Sequence, residues 1–161
     1  VKRITGIDDL VPDPLFFVSV LHEMRRNGWL EVHADYTRHP VMPLTRRVNL
    51  LIYLNRDWDP AWGGGLELWD SPTPKQKVSY PCNFNRTIIF PTTSDTLHGV
   101  PHRLSCPVDR SRQLLSIYYW SPVASPVEAG EPIKWASQHN WLMRTKKKIG
   151  KVTKKLSRDS K

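Results

Sequence analysis

Residues 29–35 read Trp-Leu-Glu-Val-His-Ala-Asp, and this stretch decides the fold. Leu30, Val32 and Ala34 alternate with Glu31, His33 and Asp35, the period-two pattern of a half-buried strand. In that conformation the three apolar side chains leave one face, while His33 and Asp35 leave the other side by side. Asn27-Gly28 stands just ahead, a pair that favours tight hairpin turns. Residues 16–24, apolar enough for a helix, are therefore read as a strand paired with 29–35 across that turn.

Working outward, apolar runs and turn residues keep alternating, with most of the fourteen Pro and eight Gly falling between the runs. Residues 46–55 form a strand whose near-continuous apolar centre predicts burial on both faces. Gly63-Gly64-Gly65 turns the chain into 66–69, and 86–90, 97–100 and 113–120 read as further strands. At least six strands, with connections too short for crossover helices, predict a mainly β fold. It is a double-stranded β-helix, a jelly roll of the cupin kind, with minor helical additions.

The 161 residues suffice for one such domain. We expect it over 1–125, followed by a linker and C-terminal extension over 126–143 and a basic tail over 144–161. The net charge of +9 is mostly the tail's: residues 144–161 carry +8 and all the rest only +1. The basicity therefore says little about the chemistry of the folded domain, although the tail is suited to weak contact with phosphate or nucleic acid. No apolar run is long enough to span a bilayer. Cys82 and Cys106, with no secretory signal in view, read as reduced thiols, so a soluble, intracellular, cytoplasmic protein is expected.

His33 and Asp35 gain meaning from a second histidine, His98, on another strand of the sandwich. Two His and one carboxylate on one face of a metal leave three positions open, the arrangement suited to Fe(II) oxygenases. A structural zinc site would want four protein ligands, commonly with Cys.

The wider pattern resembles the 2-oxoglutarate/Fe(II)-dependent dioxygenases, in their prolyl-hydroxylase-like branch. His33-Ala34-Asp35 is similar to that family's His-x-Asp, and His98 to its distal histidine. The Tyr53-Leu54-Asn55 strand end, the Gly64-Gly65-x-Glu67-x-Trp69 turn and the closing strand 112–120 follow in the family's order. The resemblance implies Fe(II) on His33, Asp35 and His98, with 2-oxoglutarate taking two open positions and O₂ the third. It also implies hydroxylation of an organic substrate, such as a peptidyl proline or a small metabolite, with release of succinate and CO₂.

Arg112, fourteen residues past His98, matches the family's basic residue for the far carboxylate of 2-oxoglutarate. A guanidinium suits that role because it stays charged when desolvated and offers paired donors. Arg110 is the weaker candidate, as it precedes the strand. Tyr53 corresponds to the tyrosine supporting the same carboxylate, and Asn49, on the same strand face, is expected to point into the same cavity.

Two positions depart from the pattern: Leu114 stands where many relatives carry Ser, and His22-Glu23-Met24 where prolyl hydroxylases tend to carry Tyr. Asp35 separates the chain from related halogenases, which have a small residue there. His22, His39, His102 and His139 read as surface or supporting residues. The Trp58–Trp62 loop reads as either a substrate wall or packing. A nucleic-acid oxidative demethylase, a non-catalytic jelly-roll binding module and a zinc hydrolase are the competing functions.

Overall fold

The computed structural model describes residues 1–17, 19–70, 76–123 and 134–135. After a short helix α1 (Lys2–Thr5), the strands in chain order are β1 (Val11–Pro12), β2 (Leu21–Arg25), β3 (Leu30–Ala34), β4 (Leu44–Tyr53), β5 (Leu66–Trp69), β6 (Lys77–Tyr80), β7 (Thr87–Pro91), β8 (Leu97–Val100), β9 (Ser111–Pro122) and β10 (Lys134–Trp135). They pair into two antiparallel sheets. One runs β1-β9-β4-β7, with β2 also on β9, and the other runs β10-β3-β8-β5-β6. This is the jelly roll expected from the strand count. The expected linker contributes Lys134–Trp135 as a strand beside β3; the rest of 126–143, His139, the 144–161 tail and residues 71–75 lie outside the described residues.

One expectation fails: β2 and β3 are not a hairpin. β2 pairs with β9 in the first sheet, and β3 pairs with β8 in the second. A turn does form, closed by Gly28 N–H donating to Arg25 O, with Asn27 in the left-handed region at φ 66°. Only Asn27 has a positive φ there, as in a type II turn, whereas the common type I′ hairpin turn requires two such residues. The flanking backbone bonds go to the 101–110 loop: Asn27 N–H to Leu104 O, and Leu104 N–H to Gly28 O. Tertiary hydrogen bonds thus carry the chain from one sheet to the other.

β4 is buried along most of its length, as its apolar centre predicts, because β9 and β7 flank it on both edges. Its inward Leu51 and Tyr53 join Trp58, Leu66, Ile88, Phe90, Leu104 and Leu114 in a core between the sheets. Trp58 donates its Nε1–H to Gly63 O and packs edge-on against Trp62, so this aromatic loop serves packing. Cys82 and Cys106 are unpaired and fully buried in the same core. Burial pushes the Cys82 thiol above its ordinary range, which keeps it protonated.

Candidate metal and cosubstrate site

Cross-strand register brings the predicted ligands together. His33 on β3 lies directly opposite His98 on β8, and directly opposite residues in an antiparallel pair share a face. Their rings are 4.6 Å apart. Asp35, one residue past β3, places Oδ1 3.5 Å from His33 Nε2 and Oδ2 3.5 Å from His98 Nε2. All three ligand atoms fall within 4.8 Å of one another.

β3 approaches β8 closely enough for this only because position 99 is glycine. A Cβ there would sit 2.9 Å from Leu30 O and from Val32 Cα and 3.0 Å from Glu31 O, all backbone atoms, opposite the register shift in β3.

The donor chemistry fits a divalent cation. His33 Nδ1 lies 2.7 Å from Glu31 O, and His98 Nδ1 lies 3.3 Å from Thr96 O. A carbonyl can only accept, so each Nδ1 carries a proton and each Nε2 is turned toward Asp35. Burial lowers His98 to about 4, against the opposing pull of Asp35, so its imidazole is neutral at physiological pH.

Asp35 has a supporting shell of its own. Asn49 Nδ2 donates to its Oδ2 at 2.8 Å, and Arg46 Nη1 lies 3.5 Å from the same oxygen. Asn49 Oδ1 accepts from Arg46 Nε and from Thr92 Oγ1, both at 3.0 Å. Burial alone would raise the Asp35 carboxyl; the contacts with His33, Arg46, His98 and Asn49 together hold it well below the usual carboxylate range.

Arg46 is only 2% exposed, with its guanidinium 3.5 Å over the Tyr118 ring. It points inward because β4 is irregular between Arg46 and Val48, where Arg47 is the extra residue and faces solvent. Sequence reading missed Arg46, since nothing in an Arg-Arg pair tells which member turns in.

At the other end of β4 lies the second half of the site. Arg112, 4% exposed, donates Nε–H to Gly64 O at 2.7 Å and Nη2–H to the Tyr53 hydroxyl at 3.1 Å. Burial raises the Tyr53 phenol above its ordinary value, so it keeps a proton to donate. Arg110 instead reaches the carbonyls of Arg56 and Asp57 on the exterior.

Gly64, at φ 86°, leaves Arg112 its space. Leu114 is buried beside Tyr53 in the core, and Met24 on β2 pairs with Arg112 and packs against the same core. The two departures from the family pattern thus make this end more apolar.

The structure brings His33, Asp35, His98 and Asn49 into one cluster and Arg112 and Tyr53 into another. Asn49, expected among the cosubstrate ligands, has its amide committed to Asp35, Arg46 and Thr92. His39 is no surface residue: it is fully buried, accepts the Val41 and Met42 N–H groups at Nδ1 and packs edge-on against Trp120. His102 is exposed, 3.5 Å from Glu67.

The family model of the 2OG-Fe(II) oxygenase superfamily matches residues 19–121. Among solved structures, the chain is similar to prolyl 4-hydroxylase from Phytophthora capsici at 28% identity, covering 63% of this chain and 31% of that one with a TM-score of 0.47. It is also similar to a prolyl hydroxylase from Trichoplax adhaerens, solved with a hypoxia inducible factor peptide fragment, at 20% identity, 63% and 42% coverage and TM-score 0.47. A Pseudomonas putida prolyl-4-hydroxylase follows at 20% identity, 67% and 52% coverage and TM-score 0.46. The chain therefore spans between 31% and 52% of the length of these proteins. The comparison with curated proteins returned no match. With more than half of the chain covered by one family model, and the His-Asp-His cluster inside the matched region, the chain belongs to the 2OG-Fe(II) oxygenase superfamily.

Proposed function

We propose that this protein is a 2-oxoglutarate-dependent dioxygenase that hydroxylates an organic substrate, a peptidyl prolyl group or a small metabolite, with release of succinate and CO₂. The observation that carries the reading is the convergence of three ligand atoms from distant stretches, with both imidazoles turned by backbone carbonyls to present Nε2 inward. His33, Asp35 and His98 are the residues that would hold Fe(II), leaving coordination positions open. When bound, the iron with 2-oxoglutarate and O₂ supplies the oxidising chemistry, which no side chain of the protein can provide.

The chain's own contribution is placement and charge. Arg112 Nη1 and the Tyr53 hydroxyl offer donors to the distal carboxylate of 2-oxoglutarate, and the buried Arg112 charge compensates it. The surrounding Leu51, Leu66, Phe90 and Leu114 exclude water from that carboxylate, which strengthens each hydrogen bond. Asn49 and Arg46 hold the Asp35 carboxylate ionised and in one orientation, and we assign Asn49 to this supporting role.

The test is to load the protein with Fe(II) and 2-oxoglutarate without oxygen, admit O₂, and measure succinate across a panel of peptide and metabolite substrates. His98→Ala should abolish turnover, and Arg112→Ala should chiefly raise the 2-oxoglutarate requirement. Full succinate formation by His98→Ala would remove the mechanism.

A further inference from the structure

The family match ends at residue 121, yet the site does not. Trp135 on β10 lies directly opposite His33, as Lys134 lies opposite Ala34. His33 is opposite His98, and His98 is opposite Leu68 on β5. Trp135, His33, His98 and Leu68 therefore form one row across the second sheet, all on the face that looks into the site.

The Trp135 ring lies 4.9 Å from the His33 ring, tilted by 41°. On the other side of the centre, Phe90 lies 5.0 Å from His98, tilted by 59°. Each ligand imidazole thus rests against one of these rings as well as against the other imidazole. Phe90 comes from within the family domain, and Trp135 from beyond it.

His33 needs such a contact for a physical reason. Its Nδ1–H bond to Glu31 O fixes one ring atom and the His98 ring, 4.6 Å away, meets it from β8, but without a neighbour on the β10 side the imidazole plane can still rock about that anchor. The tilted Trp135 ring supplies that neighbour, and held from both sides the imidazole keeps its plane and hence the direction of the Nε2 lone pair. β10 also pairs with the open edge of β3, so the backbone carrying His33 is held between two neighbours.

We infer that Trp135 is a positioning residue for the metal ligand His33, so that a residue beyond the family match completes the metal centre. This rests on His33, Asp35 and His98 holding a divalent cation. The row also makes Trp135, which falls within the stretch expected from sequence to be a linker and extension, a working part of the site.

The experiment titrates Co(II) into the full-length apoprotein, following metal absorption bands rather than turnover, for wild type, Trp135→Ala, Trp135→Leu and Trp135→Phe. Trp135→Ala should bind Co(II) about tenfold more weakly, the order by which outer-shell partners of metal-ligating His act, and its bands should shift as His33 loses its fixed plane. Trp135→Phe, which keeps a ring against the imidazole, should stay within about threefold of wild type. Trp135→Leu keeps apolar bulk without the ring; it should bind as weakly as Trp135→Ala and carries the test alone if the alanine variant does not fold.

Wild-type affinity and bands in Trp135→Leu, even with a lowered melting temperature, would reduce Trp135 to a packing residue and overturn the inference. A Trp135→Phe variant as weak as Trp135→Leu would overturn it too. Failure of wild type itself to bind Co(II) would instead remove the metal centre proposed above.

Discussion

Gly63 and Gly64 provide a matched pair for testing how Arg112 is held. Both have positive φ, 75° and 86°, so alanine at either position strains the backbone. That strain costs about 1–3 kcal/mol, or roughly 2–12 °C of melting temperature at about 2–4 °C per kcal/mol for a chain of this size. Their surroundings differ. A Cβ on Gly63 meets nothing within 4 Å, whereas one on Gly64 would lie 2.9 Å from Leu104 Cδ2, 3.0 Å from Arg112 Cδ and 3.4 Å from Cys82 Sγ. Leu104 and Cys82 are locked in the core, so Arg112 must yield, and its guanidinium leaves the Tyr53 hydroxyl. Losing a charge-assisted hydrogen bond to the cosubstrate costs about 1.5–3 kcal/mol, or roughly 10- to 150-fold in affinity. Isothermal titration of 2-oxoglutarate into Co(II)-loaded protein, beside a thermal melt, reads both quantities. Gly64→Ala should lose stability and cosubstrate affinity together, and Gly63→Ala stability alone. Equal 2-oxoglutarate affinity in the two variants would refute the reasoning.

Asn49→Leu should weaken Co(II) binding about 10- to 100-fold while 2-oxoglutarate affinity of the loaded protein changes by less than about threefold, because Asn49 touches Asp35 and not Arg112. The reverse pattern in the same titrations would return it to the cosubstrate. Gly99→Ala places a Cβ against backbone that cannot rotate away and should cost about 1–3 kcal/mol in urea unfolding; an unchanged midpoint would contradict the close approach of β3 and β8. His98 has a folded-state pKa depressed to about 4 against 6.5, so its contribution is fully present above pH 6.5 and is lost as pH falls to about 4. Urea midpoints of the apoprotein should decline across that window, and the decline should flatten in His98→Gln.

How much of this was legible in the sequence depends on whether local pattern or long-range pairing decides each feature. The face shared by His33 and Asp35 follows from period two alone, and β4 announces its burial by its apolar run. The Asn27-Gly28 turn was legible as a turn but not as a hairpin, since its bonding partner, Leu104, lies 76 residues beyond Gly28. Asn49 and Tyr53 do share a face of β4, as read. Four residues of strand nonetheless separate them by roughly 13 Å, so one reaches Asp35 and the other Arg112. Arg46 was hidden by a single extra residue that reverses the alternation, and Trp135 by lying beyond any recognisable motif. Gly64 and Gly99 were visible only as letters, because the crowding that demands them comes from other strands.

The charges around the centre complete the argument for a site built in advance of its metal. A buried carboxylate would ordinarily take up a proton, and a buried imidazole next to a carboxylate would ordinarily hold one. Here the contacts with His33, Arg46, His98 and Asn49 together keep Asp35 ionised against its burial. Burial then keeps His98 neutral. Both groups thus rest in the forms that bind a divalent cation, so near neutral pH neither has a proton to displace on loading. Arg46 can supply its charge without occupying a coordination position because Tyr118 and Trp120 hold it behind the carboxylate, at 3.5 Å and 5.8 Å from its guanidinium carbon. Moving that charge one residue along, to Arg47 on the outside of β4, would leave Asp35 buried without a countercharge. The irregularity between Arg46 and Val48 is therefore as much a part of the proposed metal centre as His33, Asp35 and His98 themselves.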